Sequence, residues 1–191
     1  MKKTIIVLAI IIPITVLAFF LIKVAGQSIL PQLFGTDNLQ NQHTTEIKDN
    51  KLLNKKMPFF DLSDIDGKRI KSSSFLDKPL IVAFWSTWNV EGANQLKILD
   101  GYVSSQDKNN NLISIVSIDS QEESNIVKLF MKRGGYEVPV ALDTSGSVTE
   151  NYNIKSLPTI FFIDRDGVIR DIYTGVINKT TLDTKVEQLL K

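Results

Sequence analysis

Runs of apolar residues separated by polar turns give the chain an alternating strand–helix pattern. The unbroken apolar run at residues 80–85 predicts a strand that is buried on both faces. A helix is expected directly after it, because Asn89 is a preferred N-cap and good helix formers follow. Residues 112–118 predict a second buried strand, and the capping-box pattern at 120–123 predicts a helix that runs to about residue 133. This strand–helix–strand–helix order indicates parallel strands and an α/β fold.

Two further stretches predict antiparallel hairpins. The first spans residues 57–70 and turns at Asp66-Gly67, and the second spans residues 159–174 and turns at Asp166-Gly167. An Asp-Gly pair between two strand-forming runs is a strong hairpin signal. The remaining predicted elements are a short helical turn at 148–152 and a final helix, capped by residues 180–183, that ends at Lys191.

The N-terminal segment has the character of a membrane anchor. Residues 4–22 carry no charge, and at about 1.5 Å per residue such a helix spans roughly the 30 Å hydrocarbon layer. Lys2 and Lys3 precede it, which favours a cytoplasmic N-terminus and places the rest of the chain outside the cytoplasm. A signal peptide cleaved near residues 24–26 is the alternative.

We therefore expect three regions. Residues 1–25 form an uncleaved signal anchor with one transmembrane helix, residues 26–56 form a polar tether, and residues 57–191 form the folded domain. The domain is expected on the periplasmic, extracytoplasmic side of the cell membrane, with the membrane itself as a partner of the anchor helix.

Composition removes several classes of function. The chain has 22 basic and 21 acidic residues, so nothing indicates a nucleic-acid-binding surface. It has no cysteine, so it cannot form a disulfide with itself or with a redox partner. The single histidine, His43, lies in the predicted tether without neighbours suited to metal binding or catalysis. Neither a metal site nor a cofactor is expected.

Residues 79–99 resemble the active-site segment of thioredoxin-like proteins, in particular the membrane-anchored TlpA/ResA branch that includes the DsbE type. The pattern of that branch is roughly V-x-F-W-A-T-W-C-x-x-C-x-x-E. Its framework positions are occupied here by Val82, Phe84, Trp85, Thr87 and Trp88. Two further stretches also fit the family, the entry hairpin near residue 57 and the segment that ends in Pro158-Thr159.

The resemblance covers about residues 57–190 and implies a thioredoxin-like fold. This is an α/β fold with a central mixed sheet flanked by helices and an N-terminal β-hairpin, here behind an N-terminal transmembrane helix. In that fold the proline at the position of Pro158 has a cis bond and faces the active-site loop.

The sequence departs from the family where the chemistry takes place. Asn89 and Gly92 occupy the two cysteine positions, and Gln95 occupies the acidic position after them. Dithiol exchange needs a thiolate that attacks a disulfide, which neither an amide nor a glycine can do. Ser86 and Thr87 are the other candidate nucleophiles, but a hydroxyl needs an adjacent base, and the predicted domain contains no histidine.

A surface remains as the candidate site. The resemblance implies that residues 88–92, residues 157–158 and the region of Gly175 form a shallow apolar groove, which holds a partner polypeptide in redox-active relatives. The candidate binding residues are Trp88, Asn89, Val90, Glu91, Leu157, Pro158 and Thr159. We therefore expect a redox-inactive, tethered protein that binds an extracytoplasmic protein or peptide. The alternatives are a thiol:disulfide oxidoreductase by similarity, of the cytochrome c maturation or disulfide interchange type, and a structural membrane subunit.

Overall fold

The computed structural model describes residues 50–106 and 112–191. The predicted anchor at residues 1–25 and most of the predicted tether lie outside the described residues. Within the described ranges, no helix is both long and apolar enough to cross a bilayer.

The described residues form a strand-rich domain with four α-helices. The strands are β1 (Asp61–Asp64), β2 (Arg69–Lys71), β3 (Leu80–Trp85), β4 (Ser114–Ser120), β5 (Val140–Asp143), β6 (Thr159–Ile163) and β7 (Ile169–Thr174). The α-helices are α1 (Val90–Ser105), α2 (Ser124–Gly134), α3 (Ser147–Asn151) and α4 (Lys179–Leu189). The buried strand predicted at residues 80–85 and the helix predicted to start after Asn89 are confirmed.

All seven strands belong to one mixed sheet with the order β2-β1-β5-β4-β3-β6-β7. Strands β3, β4 and β5 are parallel to one another, and the other pairs are antiparallel. Because β1 and β6 run against the parallel strands, both hairpin turns lie at the amino ends of β3–β5. The carboxyl ends of β3–β5 meet at the opposite edge, where open α/β sheets place their binding sites.

Apolar clusters lie on both faces of the sheet, as expected for a sheet flanked by helices. On one face, Trp85 and its neighbours in the sheet pack against leucines of α1, residues of α2 and residues of α4. On the other face, Phe84 and Phe161 pack against Tyr152, which follows α3. A strand covered on both faces is apolar at every position, and this explains why all six residues of β3 are buried.

The predicted capping box of α2 is wrong. Ser120 is the last residue of β4 and pairs with Asp143 of β5, while Gln121 has a φ of 64°. The helix begins three residues later than the pattern indicated, at Ser124, with Glu123 in place of Ser120 as the N-cap residue. Pairing in the sheet decides the conformation of Ser120, so the residue is not available as a cap.

The predicted cap of α4 is also wrong. This helix starts at Lys179, and the Oδ1 atom of Asn178 accepts a hydrogen bond of 2.9 Å from the amide of Thr181. Asn and Thr are both good N-caps, so the local sequence offered two starts two residues apart. Helix α4 uses the earlier start, with Asn178 as its N-cap.

Residues 50–56 pack on the folded domain, although the sequence analysis assigned them to the tether. The amide of Asn54 donates to the carbonyl of Ile169 at 2.8 Å, and the amide of Ile169 donates to the carbonyl of Lys55 at 2.9 Å. Leu52 and Leu53 contact the apolar cluster that contains Phe84. The segment therefore lies along the start of β7, and the first strand begins only at Asp61.

Candidate functional site at the carboxyl ends of the parallel strands

The loop that connects β3 to α1 is the centre of the candidate site. It consists of residues 86–89, called the Trp88 loop below, and it follows the buried Trp85 at the end of β3. Asn89 is the N-cap of α1, as the sequence predicted, and its Oδ1 atom accepts a hydrogen bond of 3.1 Å from the amide of Gly92. Glu91 lies in the first turn, where a negative charge stabilises the helix.

The side chain of Asn89 also joins the loop to a distant part of the chain. Its Nδ2 atom donates a hydrogen bond of 3.0 Å to the carbonyl of Leu157. The peptide bond between Leu157 and Pro158 is cis, and the carbonyl of Pro158 accepts a hydrogen bond of 2.8 Å from the amide of Gly175. The three segments that were expected to meet are therefore connected by hydrogen bonds.

Gly92, at the second cysteine position, lies close to the backbone of the Trp88 loop. A Cβ atom on Gly92 would be 3.0 Å from the carbonyl oxygen of Ser86 and 3.2 Å from its nitrogen. A larger residue at this position therefore requires the loop to move by a few tenths of an ångström.

The candidate binding residues differ in how far they reach solvent. Trp88 and Val90 are 69% and 76% exposed, and Glu91 is also exposed. Asn89 and Leu157 are half-buried, while Pro158 and Thr159 are buried. Thr159 belongs to β6 and pairs with both neighbouring strands. A partner at this site would therefore contact mainly Trp88, Val90 and Glu91.

Gln95 has a structural role in this arrangement. It is fully buried, and its Oε1 atom accepts a hydrogen bond of 2.8 Å from the amide of Ile177. This bond holds the segment after β7 against α1. An amide in this position has no acidic proton to exchange.

Sequence reasoning missed Glu122, which it had assigned to a capping box. The carboxylate of Glu122 accepts two hydrogen bonds from Thr87, one of 2.5 Å from the amide and one of 2.6 Å from the hydroxyl. Thr87 therefore has an acid beside it, which sequence reasoning did not identify. The only available signal was topological, since the loops that follow two adjacent parallel strands lie next to each other.

Asp119 was missed as well. It is fully buried near the end of β4, between Trp85 of β3 and Leu142 of β5. Neither of its carboxylate oxygens has a hydrogen-bond partner among the described residues. Burial raises the pKa of Asp119 to about 8, and the neighbouring Glu122 contributes to the increase. The carboxyl group therefore carries a proton at neutral pH.

The arrangement does not favour Ser86 as a nucleophile, nor the described residues as a metal site. The hydroxyl of Ser86 is completely buried, so a substrate cannot reach it. The described part of the chain contains no group of three or more acids or histidines placed to hold a metal ion. The chain as a whole contains no cysteine. What the site offers is an exposed apolar surface on a loop held by hydrogen bonds.

Comparison with known proteins identifies the family. The sequence model of the AhpC/TSA family matches residues 53–172. The thiol-disulfide oxidoreductase ResA of Bacillus thuringiensis subsp. konkukian is 28% identical over 144 residues, which cover 74% of this chain and 82% of ResA. ResA of Bacillus subtilis is 32% identical over 127 residues, which cover 65% of this chain and 69% of ResA.

Solved structures support the same fold. The crystal structure of a candidate thiol:disulfide interchange protein DsbE from Chlorobium tepidum superposes with a TM-score of 0.64 at 21% identity, over 71% of this chain and 96% of that one. This likeness confirms the thioredoxin-like fold expected from the sequence. The chain belongs to the AhpC/TSA redoxin family, as a cysteine-free homologue of the ResA-type thiol-disulfide oxidoreductases.

Proposed function

We propose that this protein is a redox-inactive, membrane-tethered, extracytoplasmic binding protein that docks a polypeptide partner on Trp88 and Val90. The observation that carries the proposal is the exposure of these two large apolar side chains, 69% and 76%, on either side of Asn89. Exposed apolar patches on soluble domains commonly mark interaction sites, and tryptophan is a frequent anchor of such interfaces. We call Trp88 and Val90 the Trp88 patch.

Inactivity in thiol exchange follows from the residues themselves. Exchange requires a thiolate, and the position that would carry it is Asn89. Both polar atoms of the Asn89 side chain are already bonded, one to Gly92 and one to Leu157. The residue thus serves as a connection between segments.

The same hydrogen bond restricts how a partner binds. The carbonyl of Leu157 accepts the Asn89 amide, so one of its two acceptor sites is already occupied. We therefore expect docking to rely on apolar side chains of the partner that cover the Trp88 patch, and less on backbone pairing with Leu157. The partner segment needs no cysteine for this mode of binding.

Photo-crosslinking followed by a binding measurement tests the proposal. A crosslinker at position 88 in the full chain should capture a polypeptide in cells, and the purified partner should then bind the full chain. Trp88→Ala should weaken that binding about 10-fold or more, as for a buried aromatic anchor. Leu112→Ala is the matched control, because Leu112 is 54% exposed and lies at the other end of the sheet. Equal affinity of both variants would exclude docking at the Trp88 patch.

The similarity to the ResA proteins, which are thiol-disulfide oxidoreductases by name, favours a second candidate function, thiol-disulfide exchange. Insulin reduction by the purified full chain distinguishes the two functions. We expect no turnover above a buffer control, because no sulfur nucleophile is present. Catalytic turnover would reject the proposal.

Membrane tethering rests on the uncharged residues 4–22 behind Lys2 and Lys3. The full chain should stay in the membrane fraction after carbonate extraction, and a variant that lacks residues 1–25 should not. Protease added outside the cytoplasmic membrane should degrade the domain. Protection of the domain from that protease would contradict an extracytoplasmic location.

A further inference from the structure

Two buried acids lie next to the Trp88 loop, and neither is used by the proposed docking surface. Glu122 is bonded to both the amide and the hydroxyl of Thr87, the residue before Trp88. These two bonds join the loop after β3 to the loop after β4, over a separation of 35 residues. They fix the backbone from which the Trp88 side chain projects.

Asp119 lies three residues before Glu122 and is completely buried, and neither of its oxygens has a partner in the described ranges. It lies on the sheet face that α1 and α2 cover, since Trp85 and Leu142, its neighbours in the sheet, both belong to that apolar cluster. Removal of an ionised carboxylate from water is costly unless a cation or several donors compensate for it. Asp119 is therefore tolerated in this position as a neutral acid.

The surroundings provide no compensating charge. Of the other acids near Asp119, Glu122 follows β4 and Asp143 ends β5. The carboxylates of both disfavour its ionisation, and the backbone amide of Glu122 opposes them only in part. The buried positions of the two covering helices are uncharged: Gly92, Gln95, Leu96, Leu99, Val127 and Met131. The charged residues of these helices are exposed or half-buried: Glu91, Lys97, Asp100, Lys128, Lys132 and Arg133.

We propose that Glu122 positions Trp88 for binding by holding Thr87, and that this contact depends on Asp119 being neutral. Only one part of this inference rests on the proposed function, namely that Trp88 contacts the partner. When Asp119 loses its proton, a second negative charge is created beside Glu122 in a site without a cation. The Glu122 carboxylate then turns toward solvent, releases both hydrogen bonds to Thr87, and leaves the Trp88 loop free to change its conformation.

Tryptophan fluorescence of the full chain in detergent measures this directly. The chain has two tryptophans, and Trp85 is 1% exposed, so quenching by acrylamide reports mainly on Trp88. We expect one transition in the quenching constant on raising the pH, with its midpoint at about 8, the pKa of Asp119. Asp119→Asn, which is neutral at every pH, should lose the transition and keep the low-pH value.

Two further variants separate positioning from general stability. Glu122→Ala should show the high-pH quenching value at every pH, because the contact to Thr87 is absent. Glu123→Ala is the matched control and should behave like the wild type, since the neighbouring Glu123 is exposed and makes no side-chain capping bond. Circular dichroism at each pH shows whether a variant is folded. A transition that persists in Asp119→Asn, or a wild-type signal that does not change with pH, would overturn the inference.

The outcome is independent of the docking proposal. If the quenching transition occurs but Trp88→Ala binds the partner normally, the positioning contact is real and docking on Trp88 is wrong. If Trp88→Ala abolishes binding and the fluorescence does not change with pH, docking is right and the role of Asp119 is wrong.

Discussion

The hairpin turns and the candidate site lie at opposite ends of the central sheet. Their side-chain hydrogen bonds differ in how far apart along the chain the bonded residues are. At the amino ends of β3–β5, Asp64 and Asp164 each accept two backbone hydrogen bonds from residues two and four positions further along the chain. At the carboxyl ends, the bonds that hold the site join residues 35, 68 and 82 positions apart. The two turn aspartates accept bonds from near neighbours, whereas the side-chain bonds of the site join distant residues.

Two aspartates show the physical consequence. Burial alone would raise the pKa of Asp164, but hydrogen bonds from the Val168 amide and from Arg170 outweigh it, so the pKa is lowered. Burial raises the pKa of Asp119 to about 8, and the backbone amide of Glu122 opposes this increase only in part. Ionisation of Asp164 therefore stabilises the folded state at the turn, whereas ionisation of Asp119 destabilises it at the site. Unpaired buried groups of this kind are characteristic of functional regions.

The largest expected effect is the pH dependence of stability caused by Asp119. Between about pH 5 and about pH 7 the folded state holds a proton on Asp119 that the unfolded state has lost, so this group lowers the free energy of unfolding by about 1.4 kcal/mol per pH unit. Over that interval Asp119→Asn should become more stable relative to the wild type by roughly 3 kcal/mol. Denaturant unfolding of the full chain at several pH values measures the difference. A constant difference would show that Asp119 ionises normally.

For Asp164 we expect the opposite pH dependence of stability, because its ionised side chain stabilises the folded state. Asp164→Ala removes the acceptor of two backbone amides and the ion pair with Arg170, whose Nε–Oδ2 distance is 2.6 Å. The loss should be about 2 kcal/mol at neutral pH. Because the folded-state pKa is lowered, this contribution is present above the ordinary value of 3.8 and disappears as the pH falls further.

Asp64→Ala is the matched control for that prediction. It removes two equivalent backbone bonds of 2.8 Å in the first hairpin but no ion pair. Its cost should be about 1 kcal/mol. Equal losses in the two variants would mean that Arg170 adds nothing to the turn.

The last comparison is between two asparagine caps. Asn178→Ala removes one capping bond and should cost about 1 kcal/mol. Asn89→Ala removes a capping bond and also the bond to the Leu157 carbonyl, and should cost about 2 kcal/mol. Thermal unfolding of the full chain in detergent compares the two variants. Thr180→Ala should be close to neutral if Asn178 is the cap, and equal losses in both asparagine variants would show that the Leu157 bond contributes little.

Local signals in the sequence were sufficient for much of the fold. The apolar run of β3, the Asn89 cap and the two Asp-Gly turns were all placed correctly, because each depends on residues within one strand or one turn. The end of α2 is of the same kind, since Gly135 ends it with a φ of 65°. The start of α2 was misplaced because a distant partner, β5, holds Ser120 in the sheet.

The sequence by itself determined the strand and helix pattern, the turn residues and the absence of any sulfur nucleophile, since these depend on residue type and near neighbours. The tertiary structure alone decided that Glu122 holds Thr87, that Asn89 reaches Leu157 and that Asp119 is buried without a partner. These contacts arise when parallel strands align and bring their following loops together. Their energies depend on burial and on long-range pairing, which no local pattern of residues encodes.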